Sequence, residues 1–358
     1  MQTASEKMGQ RREMIALAIV LIIIIGLPAA ALGYQFGLRP ALARGVQEVE
    51  IVGRLPQDGG WSAETVRVEV GKPVRLRVTS VDVVHGFAIG KLGIDAGWIY
   101  PGQPKVVEFT PQRAGRYTFY CTTWCSDGHW RMRGTLEVYD PQNPAAVDTL
   151  VDPPQTDWQA EKVNLDAPHL ADDFPLVPPS AQRGAEIWAR TSGLPQPAPV
   201  LAQIDLRRQT PAHLFALLRD NRINGMDLAP LAKLAPADLW NVVAYLWREG
   251  TPADSLVLGQ RLFETNCTPC HGEKGDGKGP AADALTASTM THEMAGMHGP
   301  QSPANFTDLR SAAGASAMVY YGKLVRGGMG TGMPYWGSIF TDREMWALVD
   351  YLRTFLFK

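Results

Sequence analysis

The stretch CTTWCSDGHWRM, residues 121–132, places two thiols, an imidazole and a thioether in one short segment: Cys121, Cys125, His129 and Met132. A second cluster, CTPCH, holds Cys267, Cys270 and His271. These two pairs are the whole cysteine content of the chain, and each sits beside a histidine, which favours cofactor ligation over a disulfide framework. In the first cluster, soft thiolate and thioether ligands with imidazole select copper, or less often zinc. A zinc finger would join a C-x2-C pair to a distant second pair, which is absent here. A blue-copper site needs only one cysteine. Another imidazole, His85, lies upstream in VDVVHGF, at the start of an expected strand that could bring it to the loop. Two thiolates, two imidazoles and a thioether exceed the needs of one copper and suit two coppers bridged by both sulfurs. A disulfide-bonded sandwich would leave His85, His129 and Met132 without a purpose. The second cluster is C-x-x-C-H, the attachment signal of a c-type haem: its thiols bond the haem vinyls and His271 becomes the proximal iron ligand.

The elements that must hold these residues change character along the chain. From about residue 47 to 139 the pattern is β: TVRVEV (65–70) and VRLRV (74–78) alternate apolar and charged side chains, and KVVEF (105–109), RYTFYC (116–121) and GTLEVY (134–139) continue it. Turn signals such as EVGKP and TPQRAG separate the strands, and short strands at even spacing predict a Greek-key sandwich. The first cluster then falls in a loop between the last two strands. Residues 140–180 carry eight prolines and eight acidic residues with Lys162 as their one base, which predicts an extended linker or wrapping arm.

Helical signals follow. PADLWNVVAYLWREG (236–250) and TDREMWALVDYLRTFLF (341–357) are amphipathic, and Thr341 with Glu344 makes a capping box. RGAEIW (183–188) aligns with LGQRLF (258–263) at an offset of 75, and WNVVAYL (240–246) with WALVDYL (346–352) at an offset of 106. One small helical unit is therefore expected twice, the first copy being 31 residues shorter. That copy has Ser192 where the first cysteine should stand, no histidine before His213, and Met226 one residue from the axial position, so no covalent haem is expected in it. A plain helical spacer is the competing reading. Its terminal helices can pack on each other through Ile187, Trp188, Val243 and Leu246 without a cofactor.

At the N-terminus, residues 14–38 are uncharged, and as a helix they would run about 37 Å, enough to cross a bilayer. Lys7, Arg11 and Arg12 precede them, which by the positive-inside rule puts residues 1–13 in the cytoplasm and the remainder on the outer face. A signal peptide cleaved near Ala29–Ala31 is the alternative, but the apolar stretch runs on past those alanines. The rest of the composition is ordinary, 45% hydrophobic and 20% charged with a net charge of -2 and no basic stripe, so nucleic-acid binding is not expected.

CTTWCSDGHWRM with upstream DVVHGFAI resembles the binuclear copper domain, CuA, of cytochrome c oxidase subunit II, whose pattern C-x3-C-x3-H-x2-M is met at every position over residues 47–139. The resemblance implies that Cys121 and Cys125 bridge two coppers, that His85 and His129 each ligate one, and that Met132 and the Thr123 carbonyl are the weak axial ligands. It also implies one unpaired electron shared over the pair, which keeps bond lengths nearly constant on reduction. Two departures are visible. Most members carry Glu at the Thr123 position, reaching a magnesium ion that threonine cannot reach, and the usual two-helix membrane hairpin is a single span, as in the B-type oxidases. Related copper domains occur in nitrous oxide and nitric oxide reductases. Trp61, Trp124 and Trp130 are candidates for carrying electrons in, or for packing.

LGQRLFETNCTPCHGEKGDGKGP resembles class I cytochrome c, and PANFTD (303–308) and a last helix with Trp346 and Tyr351 complete the pattern. Pro280 then matches the proline whose carbonyl holds the histidine ring. The family's Met-Pro context selects Met333 as distal ligand over Met329, Met318 and the loop residues Met290, His292, Met294, Met297 and His298. That Met/His-rich loop is either a glycine-broken surface loop or a transient copper site.

The expected architecture is multidomain: an N-terminal transmembrane helix, a cupredoxin-like Greek-key β-sandwich (47–139), a proline-rich acidic linker (140–180), a haemless cytochrome c-like domain (181–250) and a cytochrome c domain (251–358). The expected function is that of the electron-input subunit of a haem–copper terminal oxidase in the inner membrane. Electrons would pass from a cytochrome c, small copper protein or membrane donor through one haem c and CuA to subunit I. The alternatives are a nitric oxide reductase subunit and a stand-alone copper or redox protein.

Overall fold

In a computed structural model of the chain, residues 14–17, 19–38, 45–126, 128–191, 193–284, 302–328 and 332–358 are described, save the side chains of Leu38 and Trp130. Residues 1–13, Ser192, Met329 and the Met/His-rich loop (Met290, His292, Met294, Met297, His298) therefore lie outside the described residues.

Helix α1 (Met14–Gly37) keeps every described side chain exposed and has a mean hydropathy of 3.0 over its most apolar window. It is long and apolar enough to cross a membrane, and among the described residues no other element covers it.

The β region forms eight strands: β1 (Gln47–Gly53), β2 (Thr65–Glu69), β3 (Val74–Ser80), β4 (His85–Ile89), β5 (Ile94–Ile99), β6 (Lys105–Phe109), β7 (Gly115–Tyr120) and β8 (Arg133–Tyr139). They make a three-stranded sheet in the order β1-β3-β6 and a five-stranded sheet in the order β2-β8-β7-β4-β5. Alternation explains most of it. In β3, Val74, Leu76 and Val78 turn into the core, while Arg75 pairs outward with Glu48 and Glu108 of the flanking strands. In β7, Tyr117 and Phe119 turn inward and meet Val68, Leu136 and Val138. The sequence pattern missed β5, because Gly97 (φ +65°) and a register shift opposite Phe87 and Ala88 break its alternation. β4 breaks the rule differently: all five of its residues are buried.

The segment 140–180 wraps. Val151 enters the sandwich core, Trp158 and Val163 pack on the core of the last helical unit, and Ala171 reaches the middle one. Asp166 makes a two-pronged ion pair with Arg326 at 2.6 and 2.8 Å. Prolines suit an arm that must lie extended without pairing its backbone.

Seven helices carry the remainder of the argument: α2 (Ala181–Arg190), α3 (Pro211–Arg219), α4 (Pro236–Glu249), α5 (Ala253–Asn266), α6 (Leu309–Gly314), α7 (Ala317–Arg326) and α8 (Asp342–Leu352). The Thr341–Glu344 capping box is formed, and α8 gives way at Arg353 to a tighter turn, earlier than the amphipathic pattern suggested. The aligned pairs cross alike: α2 packs on α4, and α5 on α8. In each, a glycine sits at the crossing. A Cβ at Gly184 would overlap the Asn241 carbonyl oxygen, and one at Gly259 would overlap that of Ala347. Ile187, Trp188, Val243 and Leu246 are all buried in the middle core, which α3 fills with Leu214, Phe215 and Leu218. Phe215 stacks on Trp240 with centroids 4.6 Å apart.

Candidate metal centres

β7 ends at Tyr120, and the chain then loops through residues 121–132 before β8 begins. The ligand atoms of His85, Cys121 and Cys125 lie within 4.8 Å of one another. Each histidine presents Nδ1 to one thiol: His85 to Cys121 Sγ at 4.0 Å and His129 to Cys125 Sγ at 3.7 Å. Met132 Sδ lies 3.4 Å from Cys125 Sγ, and the Thr123 carbonyl oxygen 3.2 Å from Cys121 Sγ. The structure thus brings together His85, Cys121, Thr123, Cys125, His129 and Met132, and all four cysteines of the chain are free thiols.

The His85 ring is held from behind. Asp82 Oδ1 accepts from Nε2 at 2.9 Å, while the backbone N–H groups of Val83 and Leu55 donate to the same carboxylate at 2.6 Å each. This leaves Nδ1 as the lone pair facing the sulfurs, the tautomer a metal requires. Burial alone would push the Asp82 carboxyl up, but those hydrogen bonds and His85 hold it below its usual range. Burial likewise opposes charge on His85, yet Cys121 and Asp82 raise its pKa. The two thiols are coupled: burial disfavours ionisation of Cys121, but Cys125 and the two histidines pull its pKa well below the ordinary thiol value. Cys125 is pushed up by that same Cys121 contact and by burial. Asp82 was not singled out from sequence, although it stands three residues before His85 in the same motif. Gly86 was missed too. Its N–H points at Cys121 Sγ at 3.3 Å, and a Cβ there would overlap Thr122 Oγ1.

Among the tryptophans, Trp61 is buried against His85, Phe87 and Phe119, with centroids 5.5–6.4 Å away, and packs the core. Trp124 is half-buried with its ring 5.7 Å from that of His129.

In the second cluster, Thr268–His271 forms a single helical turn directly after α5. Cys267 and Met333 both pack on the same apolar core, which includes Phe263, Trp346, Leu348 and Leu352. Burial raises the Cys267 thiol to about 12 and Cys270 to about 11, so both stay protonated until they react. Burial lowers His271, which is thereby kept neutral. Its Nδ1 lies 3.1 Å from the Ala304 carbonyl, and its ring stacks on Phe306 at 4.8 Å, leaving Nε2 free for iron. This corrects one expectation: the carbonyl holding the ring is that of Ala304, not Pro280. The neighbours of Pro280 are tied back to the C-x-x-C-H turn, Gly279 N–H donating to Cys270 and Ala281 N–H to Pro269, while the 303–306 segment closes on the imidazole. Met318 is buried in the core at 3% exposure, its N–H donating to Arg207.

A sandwich that brings two thiols, an imidazole and a thioether of one loop to a second imidazole on β4 defines a cupredoxin-type copper domain, and the C-x-x-C-H helical unit a haem-binding one. The comparisons agree. Residues 62–138 match the family described as Cytochrome C oxidase subunit II, periplasmic domain, and residues 256–355 match Cytochrome c. The chain therefore fuses a subunit II-type domain, which implies copper, to a cytochrome c domain, which implies haem. Over 79 residues it is 33% identical to a cytochrome c oxidase subunit 2 of Thermus thermophilus, covering 22% of this chain and 58% of the relative. Over 103 residues it is 30% identical to a probable cytochrome c oxidase subunit 2 of Streptomyces coelicolor, covering 29% and 32%. The chain thus spans only part of the length of these relatives. A chain of a haem–copper terminal oxidase dimer, solved by cryo-EM, is 22% identical with a TM-score of 0.24, covering 36% of this chain and 99% of that one.

Proposed function

We propose that this chain is the electron-input subunit of a haem–copper terminal oxidase, anchored by α1 with its N-terminus in the cytoplasm and its folded parts on the outer face. It would receive electrons from a small redox protein or membrane donor and hand them to a subunit I that reduces oxygen. The observation that carries this reading is the gathering of both thiols with His85, His129 and Met132 in a chain that also holds C-x-x-C-H. A copper pair and haem bound there would supply one-electron redox chemistry. The residues supply the rest. Cys121, Cys125, His85 and His129 would hold the copper pair, with Met132 and the Thr123 carbonyl as weaker donors beside the thiols. Asp82 fixes the His85 ring, so that no reorientation is needed when the charge changes. Cys267 and Cys270 would tether the haem, and His271 and Met333 would ligate its iron, a thioether ligand raising the potential.

The test is spectroscopic and compositional. Two coppers per chain and a seven-line EPR hyperfine pattern are expected, with Cys121→Ser abolishing the pattern and leaving the haem spectrum intact. A single-copper spectrum in the intact chain overturns the binuclear assignment. The complex isolated with this chain should consume oxygen; consumption of nitric oxide instead would move it to the reductases.

A further inference from the structure

The outer face of β4 and β7 is where the sandwich meets the cytochrome unit. Ala88 and Tyr120, paired across these strands, turn away from the sandwich core and are buried in the core of the helical unit. Tyr120 meets Phe340 edge-on at 6.1 Å, and Phe340 stacks on Trp336 at 4.9 Å with the planes 4° apart. Both ends of this row are tied covalently to a cofactor segment. Tyr120 is bonded to Cys121, and Trp336 lies in GMPYWG with Met333.

Two features keep the row closed. Gly90 lies against Ile339: a Cβ would stand 2.5 Å from the Ile339 carbonyl oxygen, and the Gly90 φ is not in the left-handed region, so it is the approach and not the turn that calls for glycine. Lys91 Nζ donates to the carbonyls of Val151 and Asp152 at 2.8 Å and of Gly337 at 3.0 Å, which pins the sandwich, the arm and the segment before Ile339 together. A half-buried ammonium that satisfies its three donors on backbone holds its partners in one geometry.

We propose that Tyr120, Phe340 and Trp336 form the bridge by which an electron crosses from the haem to the copper pair, with Gly90 and Lys91 as the residues that position it. The proposal rests on the functional reading above. One electron leaves ferrous haem iron, which becomes ferric, and reduces the oxidised copper pair by one; no bond is made or broken and no proton moves. The rings fill the gap with polarisable matter and remain chemically unchanged.

The test uses the full chain with both cofactors, in Gly90→Ala and Phe340→Leu variants. Three quantities are read: the rate at which copper is reduced after photoreduction of the haem, the copper EPR spectrum with the haem potential, and amide hydrogen exchange over residues 86–92 and 336–341. Phe340→Leu should slow the transfer by an order of magnitude or more, with spectrum, potential and exchange unchanged. Gly90→Ala should slow it and also raise exchange on both sides of the contact, again with unchanged cofactors. Transfer at the wild-type rate in both variants overturns the bridge while leaving the functional reading standing. A wild-type chain that holds both cofactors yet passes no electron between them overturns both.

Discussion

At the scale of the residue, the proposed copper site depends on a side chain outside the proposed ligand set. His85 can offer Nδ1 only if Nε2 is occupied, and Asp82, itself held by two backbone N–H groups, occupies it. Loss of such an outer partner lowers metal affinity by roughly 10–100-fold, so Asp82→Ala should weaken copper binding by about that factor. Titration against a competing copper chelator measures it. The EPR pattern of the fully loaded variant should keep its shared-electron form, because the proposed ligands themselves are intact. An affinity equal to that of the wild type would show that the loop alone orients His85.

At the scale of the element, two helix pairs cross through glycine, at Gly184 over Asn241 and at Gly259 over Ala347. Ala is the better helix former by about 1 kcal/mol, so on propensity alone Gly259→Ala should stabilise α5. Overpacking against a backbone carbonyl that cannot rotate away costs about 1–3 kcal/mol, and this sets the sign. Gly259→Ala should therefore lower the melting temperature of the cytochrome unit, read through loss of its Trp346 and Tyr351 signals. A rise would mean that the helices can part without penalty. The equivalence of the two crossings, with Tyr245 and Tyr351 next to the respective glycines, supports reading the middle unit as a reduced copy of the last one.

At the scale of the molecule, chain order and spatial order differ. The arm leaves the sandwich at Val151, crosses the cytochrome unit at Trp158 and Val163, and only then enters the middle unit. The C-terminus returns to the start of that unit, where Lys358 N–H donates to Pro179 and the Lys358 carbonyl accepts from Ala181 N–H, both across 2.7–2.8 Å. The middle unit thus buttresses the last one from behind, and Arg207 lies over Trp346 at 4.2 Å. Its core is closed by α3, with Phe215 on Trp240. Haem quantified as its pyridine complex should accordingly give one haem per chain. A ratio near two would mean that α3 gives way to a second macrocycle.

The cofactor chemistry was legible in the sequence because ligand type and spacing are local properties: C-x3-C-x3-H-x2-M and C-x-x-C-H each sit on one loop or turn. The strands with clean alternation were legible for the same reason, since a period of two needs only one buried face. β5 was not, because Gly97 and the register shift erase the period where the sheet bends. The partner of His271 was not legible either. The accepting carbonyl at Ala304 is 33 residues away, and only folding decides which of several carbonyls reaches the ring. The same holds for Tyr120. In RYTFYC its position reads as a solvent face, yet it is buried, because a second domain covers the outside of β4 and β7. The sequence alone determined which residues could hold copper and haem. The tertiary structure alone decided that the sandwich and the cytochrome unit share a wall, since that wall is made by residues far apart in the chain whose approach no local pattern encodes.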